Sequence, residues 1–148
     1  MDTEGDSGGV DLSNGRSSNQ PGPRNRVIGV IGKSRISADE KTKLRYAARC
    51  IVRLGHAVAL IPAPGVANAI REGVEIEKGE LLELENDVIG HADMTHVFPD
   101  ARLLERLLTA YPNLHEREDV FVLDPSELDK YTQACSTLLQ RRGIPLPT

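Results

Sequence analysis

The sequence predicts an α/β fold, a Rossmann-like, doubly wound, mostly parallel sheet of about five strands with helices on both faces. Short apolar runs alternate with amphipathic helical patterns along the chain, and this alternation requires crossover connections and therefore parallel strands. The leading runs are apolar on consecutive residues, which is typical of strands buried on both faces. Aromatic residues make up only 3% of the chain, so the core must be built from aliphatic side chains.

The first strand and helix carry the clearest local signals. Residues 27–31 form a continuous apolar run that predicts a buried strand. Ser37 and Glu40 have the spacing of a capping box, in which each side chain satisfies an unpaired backbone amide at a helix start. Apolar residues then recur at helical spacing, and Gly55 supplies the left-handed turn that ends the helix.

A second strand and helix follow, and then a weaker strand. Residues 57–61 predict a strand, and residues 66–72 predict a short helix that ends at Gly73. Residues 81–84 are a weaker strand candidate, and the interleaved Glu83 and Glu85 favour an edge position. Residues 74–80 give no clear pattern.

The last third of the chain contains two more strand and helix pairs. Residues 94–98 predict a strand, and Asp100 is the expected N-cap of a leucine-rich helix that runs to Tyr111. Residues 120–123 predict the last strand. Asp124 and the proline after it predict the start of a final helix, which Gly143 ends.

Composition sets the domain organisation and excludes several classes of protein. Residues 1–25 are rich in Gly, Ser and Pro and poor in apolar side chains, so we expect a disordered tail followed by a single domain over residues 26–148. The formal net charge of −4 argues against a surface that attracts nucleic acid or anionic lipid throughout. No apolar run reaches the length of a membrane span or signal peptide, so we expect a soluble, cytoplasmic protein. Cys50 and Cys135 fall in helical patterns and predict packed, reduced thiols.

The carboxyl ends of parallel strands meet at one edge of the sheet, and we expect a ligand site there. The turn after the first strand holds Gly32, Lys33, Ser34, Arg35 and Ser37, which combine a small residue, hydroxyls and cations at a helix start. Such a turn favours a phosphate or carboxylate, although it also suits a merely solvated loop. The run before Lys33 lacks the first glycine of a P-loop, and the glycine spacing does not match a dinucleotide fingerprint.

Other residues at the same predicted edge are candidates for the site, each with a structural alternative. Pro64, Gly65 and Asn68 open the second helix, where turn chemistry alone explains the proline and glycine as well. Pro99 and Asp100 precede the leucine-rich helix, and Asp100 has a role as a cap. Arg102 and Glu105 are candidate catalytic groups or an ordinary surface ion pair. No histidine has a partner at metal-ligand spacing, so we expect no metal and no resident cofactor.

The stretches 27–35, 54–58 and 64–73 resemble the first half of the superfamily that unites LONELY GUY (LOG) proteins with the DNA-processing Smf/DprA proteins. The resemblance implies a Rossmann-like fold that binds nucleotides or nucleotide-derived molecules at the strand edge. The LOG branch includes phosphoribohydrolases that act on nucleoside 5′-monophosphates through a PGGxGTxxE segment. Here residues 99–107 stand in that place without its glycines and threonine.

We therefore predict a binding or sensing module for a nucleotide-like anionic ligand. The alternatives are a LOG-like N-glycosidic hydrolase that uses Glu105 and Arg102, and a catalytically inactive scaffold or interaction protein. The DNA-processing branch binds single-stranded DNA, but the few aromatic side chains argue against that function here. The resemblance and the leucine-rich helix together predict a homodimer.

Overall fold

The computed structural model describes residues 26–148, so the predicted disordered tail, residues 1–25, lies outside the described residues. The elements are β1 (Val27–Gly32), α1 (Ala38–Arg53), β2 (Ala57–Leu60), α2 (Val66–Ile76), β3 (Leu81–Glu83), α3 (Val88–His91), β4 (Met94–Phe98), α4 (Ala101–Ala110), β5 (Val120–Val122) and α5 (Leu128–Arg141), with 3-10 turns at Leu114–Glu116 and Pro125–Glu127. Among residues 26–148, no helix combines the length and the hydrophobicity that crossing a bilayer requires.

The five strands form one parallel sheet in the order β3-β2-β1-β4-β5, which confirms the predicted fold class. The chain first adds strands on one side of β1 and then returns to add β4 and β5 on the other side. The order therefore reverses between β1 and β4, where Gly32 is paired with Phe98 at the carboxyl ends. In doubly wound sheets, ligands bind in the crevice beyond the strands at this switch point.

Helices cover both faces of the sheet. On one face, α1 lies between α2 and α5, and its buried side chains pack on Ile28 and Val30 of β1. On the other face, α3 and α4 enclose a second cluster around Val97 and Val120. Cys50 and Cys135 are buried, unpaired thiols in a small cluster between α1 and α5, in agreement with their predicted packing.

The first helix has the predicted ends. The Ser37 hydroxyl accepts the Glu40 amide at 3.0 Å, and the Glu40 carboxylate accepts the Ser37 amide at 2.9 Å. Beyond the other end, Gly55 adopts φ 94°, the left-handed conformation expected of it. The capping box therefore fixes where α1 begins.

Two predictions about the middle of the chain need correction. The second helix does not end at Gly73 but continues to Ile76. Gly73 serves a different purpose, because α2 approaches α1 closely there and a Cβ would overlap the Arg45 carbonyl oxygen. The segment before β4 holds α3, which the sequence did not indicate because four residues are too few for a helical period. The weak strand is confirmed as β3, at the edge of the sheet.

The leucine-rich face of α4 is used within the chain. Leu103 is buried, and the other apolar side chains of this face pack on the cluster formed by Ile89, Val97, Leu114 and Val120. They are Leu104, Leu107, Leu108 and Tyr111. The homodimer stays a prediction, and this helix face gives it less support than the sequence suggested.

The close contact of α1 with α2 yields a test of the fold. Gly73→Ala should lower the free energy of unfolding by about 1–3 kcal/mol, because the added methyl group must push the two helices apart. At an uncrowded helix position the same change stabilises by about 0.5–1 kcal/mol. The sign of the change in the free energy of unfolding, measured with urea, therefore tests the contact, and a stabilised variant would contradict it.

Candidate functional site

The turn between β1 and α1 is fixed at the switch point by the peptide groups of Lys33. The Lys33 N–H donates to the Phe98 carbonyl at 2.9 Å, which extends the pairing of β1 with β4 by one residue. The Lys33 carbonyl accepts the Val66 N–H at 3.0 Å, the first amide of α2. One residue thus ties the turn to both neighbouring loops at the carboxyl edge.

Two glycines allow these loops to meet. Gly65 adopts φ 82°, and a Cβ at this position would overlap the Lys33 carbonyl and the Ser34 backbone. A Cβ on Gly32 would overlap the side chain of Val66. Both glycines have a structural reason to be present, because the start of α2 lies directly against the turn.

The ammonium group of Lys33 is already paired. Lys33 Nζ donates to Glu40 Oε2 at 2.9 Å, and the two side chains are 18% and 23% exposed. The other oxygen of the same carboxylate accepts the Ser37 amide in the capping box. The hydrogen bond from the Ser37 amide is the main cause that lowers the pKa of Glu40, and the hydrogen bond from Lys33 lowers it further. Ser37 is therefore a helix cap, and its hydroxyl is occupied by the Glu40 amide.

Ser34 and Arg35 project from the turn into solvent. Both residues are exposed, and within the described part of the chain the Arg35 guanidinium has no carboxylate partner. The amides of Ser34, Arg35 and Ile36 likewise have no acceptor among residues 26–148. This short segment offers hydrogen-bond donors and one positive charge on a backbone that its neighbours hold in place.

The crevice directly over the switch point is nearly filled. It leaves a free volume of about 10 Å³, roughly the room that one water molecule needs. Lys33 and Glu40 line this crevice together with apolar walls that include Leu44, Phe98 and Leu128. A ligand group larger than water therefore enters this crevice only if some of its lining side chains move.

A wider groove of about 350 Å³ opens on the β5 side of the edge. It lies between the start of α4 and the 3-10 turn that precedes α5, with Pro99 and His115 among its walls. Its carboxylates are Asp100, Asp124 and Glu127. Each of them accepts a backbone amide at a helix or turn start, at 2.8 or 2.9 Å. Hydrogen bonds from the amide and hydroxyl of Ser126 lower the pKa of Asp124. Because three carboxylates line the groove, this side of the edge is electronegative.

The remaining predicted residues lie farther from the turn or are engaged elsewhere. Asn68 donates to Glu72 at 3.1 Å and accepts from Arg71, so its amide bonds within α2. Pro64 is exposed in the loop before Gly65. Arg102 and Glu105 are exposed on α4 and line neither of the two cavities at this edge. Within residues 26–148, no ion pair joins them, so that structural alternative is absent too.

The interior holds a polar contact that sequence reasoning missed. The Nδ1 atom of His96 lies 2.7 Å from the Tyr131 hydroxyl, and the Tyr131 ring stands edge-on to both His96 and Phe98. Burial lowers the pKa of His96 to about 4 and raises that of Tyr131 well above its usual value. The two residues are 35 positions apart, so only the packing of α5 on β4 brings them together. Within the described residues, no three metal-ligating side chains group as a metal site requires.

Fold and edge geometry together define a doubly wound α/β domain whose candidate site is formed by loops at the switch point. Solved structures with this fold include two of a molybdenum cofactor carrier protein from Chlamydomonas reinhardtii. They are 12% and 14% identical, with TM-scores of 0.56 and 0.57, over 78% of this chain and 87% of theirs. A molybdenum cofactor binding protein from Rippkaea orientalis is 14% identical with a TM-score of 0.52, over 84% of this chain and 90% of its own.

These similarities establish the fold. At such identities they do not carry a ligand from one protein to another. No family model and no curated protein matches the sequence.

The partly buried His96 predicts a pH dependence of stability. Because the pKa of His96 in the folded protein is about 4, below its ordinary 6.5, the unfolded chain binds the extra proton between these values. The stabilising contribution is therefore complete above pH 6.5 and is lost as the pH falls toward 4. Between pH 7 and pH 5 the free energy of unfolding should fall by about 2 kcal/mol for this reason.

Urea unfolding of the wild type and of His96→Gln over this pH range measures that contribution. Gln keeps a hydrogen-bond partner for Tyr131 but does not titrate, so the wild type should lose about 2 kcal/mol more than the variant. Parallel loss in both proteins would show that His96 titrates normally.

Proposed function

We propose that this chain binds a small ligand carrying an oxyanion, of the nucleotide or nucleotide-derived cofactor class, at the β1–α1 turn. The observation that carries the proposal is the segment 34–36, whose three amides and one guanidinium have no protein partner among the described residues. Amides and arginine together are the groups that bind phosphate and carboxylate oxygens.

The rigidity of the turn supports this proposal. Its backbone is tied to β4 and to α2 through Lys33, and Gly65 packs against it. A site whose donors are held in place loses little conformational entropy on binding. We propose that Gly32, Ser34 and Arg35 contact the anion, with Lys33 joining them, while Pro64, Gly65, Asn68, Pro99 and Asp100 flank the ligand.

The wider groove suits the neutral or hydroxyl-bearing part of such a ligand. The carboxylates of Asp100 and Asp124 favour hydroxyl or amino groups, and they repel a second anion. A nucleotide or cofactor with one charged end and one hydrogen-bonding end matches this division of charge. The solved structures of similar fold include proteins described as a molybdenum cofactor carrier and a molybdenum cofactor binding protein, so this cofactor belongs among the ligands to test.

The proposed role is binding rather than hydrolysis. A glycosidic hydrolase needs a carboxyl group that acts on the sugar at the ligand site. Glu105 is exposed on α4 outside both edge cavities, and the groove carboxylates are committed to capping. No observation therefore favours the hydrolase that the LOG resemblance suggested.

Binding should depend on Arg35. We expect Arg35→Ala to weaken binding of the ligand by about tenfold or more, because a charge-assisted hydrogen bond to an oxyanion is lost. Calorimetric titration with AMP, ADP, ADP-ribose, NAD and isolated molybdenum cofactor identifies the ligand in the wild type first. Arg102→Ala removes the same charge from the exposed surface of α4 and should leave affinity unchanged.

Equal affinity of Arg35→Ala and wild type for the ligand found would contradict the proposed site. Incubation with AMP provides a second control. Release of free base that disappears in Glu105→Ala would show instead that the hydrolase hypothesis is right.

A further inference from the structure

Glu40 occupies the place where an anion would be held. Its two carboxylate oxygens accept from the Ser37 amide and from Lys33 Nζ, both at 2.9 Å. These donors are the amide at the start of α1 and the only lysine of the turn. A bound phosphate would use the same kinds of donor, in the same arrangement, through two of its oxygens.

The crevice beside this ion pair is a second observation, because Lys33 and Glu40 help to close it. Apolar side chains of α1, α2, β4, α5 and the segments that follow β4 and β5 form its other walls, and the free volume is about 10 Å³. Lys33 and Glu40 are the charged side chains of this lining, and their separation would add space at the switch point. Glu40 can move outward, because the first turn of α1 around Ser37 and Asp39 is exposed.

We propose that Glu40 is an internal competitor for the oxyanion ligand, and that a phosphate group binds Lys33 by displacing the Glu40 carboxylate. This inference rests on the proposed function and concerns the regulation of the same site. In the absence of ligand, the carboxylate neutralises Lys33 and leaves Arg35 as the cation of the turn. When phosphate binds, its oxygens take the Lys33 hydrogen bond, and Glu40 turns to solvent.

Competition has a direct consequence for affinity. A ligand that bonds to Lys33 must first break the Lys33–Glu40 ion pair, so its measured affinity is lower than that of a site without the carboxylate. The pKa of Glu40 is lowered by its bonds to Ser37 and Lys33, so the competing charge is present throughout the neutral range. Removing this charge while keeping the helix cap should therefore strengthen binding.

Glu40→Gln is the decisive variant, because glutamine at this position still completes a capping box but carries no charge. With inorganic phosphate and AMP as probes, we expect Glu40→Gln to bind about tenfold more tightly than the wild type, a difference of about 1.4 kcal/mol. Asp39→Asn is the matched control. It removes a negative charge from the same turn, but Asp39 pairs with Lys43 and not with Lys33, so the gain should be smaller.

The double variant Lys33→Gln/Glu40→Gln tests whether the gain acts through Lys33. Its affinity should fall to that of the wild type or below, because the double variant lacks the Lys33 ammonium group that would bind phosphate. Thermal unfolding of each variant checks that the capped helix is intact. A gain that persists without Lys33 would overturn the inference.

The outcomes separate this inference from the proposed function. If the wild type binds phosphate or AMP in an Arg35-dependent manner but Glu40→Gln binds no more tightly, the competitor role is wrong and the site stands. If Glu40→Gln and Asp39→Asn gain equally, the effect is general electrostatics and the competitor role is again wrong. If neither the wild type nor Glu40→Gln binds phosphate or AMP, the competitor role is wrong. The proposed function fails as well only if no ligand of the calorimetric panel binds the wild type.

Discussion

The carboxyl edge of this sheet depends on the peptide groups of one residue, Lys33. Its N–H continues the pairing of β1 with β4, and its carbonyl receives the first amide of α2. Through these two bonds, the turn that follows β1 is fixed relative to both halves of the doubly wound sheet. The side chain then adds a third connection to α1 through Glu40. A backbone held at three points presents the next residues, Ser34 and Arg35, in a defined position.

The charges at this edge cannot be inferred from the net charge of the chain. The net charge of −4 indicates little about the turn, where Lys33 and Glu40 cancel and Arg35 remains. The carboxylates that cap helix and turn starts lie on the β5 side of the edge. Each carboxylate accepts a hydrogen bond from a backbone amide, which holds it in place at a helix or turn start. The same capping interactions that begin the helices thus shape what the edge can bind.

Much of the fold could be predicted from the sequence because its signals are local. The capping box at Ser37 and the run of residues 27–31 each lie within a few residues, and they fixed β1, α1 and the turn between them. Alternation of strands and helices then gave a parallel sheet with a candidate ligand edge, but not the strand order that places the switch point between β1 and β4. The end of α2 was missed because Gly73 serves a contact between two helices, which no local pattern reveals.

The chemistry of the site was harder to predict, because it depends on where side chains point. Lys33 and Glu40 are seven residues apart, and the sequence indicated a cation for a ligand and a carboxylate for a cap. Only the conformation of the turn brings the two groups within hydrogen-bond distance. Likewise, His96 and Tyr131 meet because α5 packs on β4, which depends on the whole topology.

The packing around the two glycines determines how this edge can respond to a ligand. Val66 fills the space over Gly32, and the Lys33 and Ser34 backbone fills the space beside Gly65, so the loops have little room to shift. Interiors packed in this way change by exchanging side-chain partners more readily than by moving backbone. The edge is therefore a rigid backbone frame in which side chains such as Lys33, Arg35 and Glu40 have more freedom than the loops that carry them. In the competition that we propose, the Lys33–Glu40 ion pair is exchanged for a bond between Lys33 and the ligand.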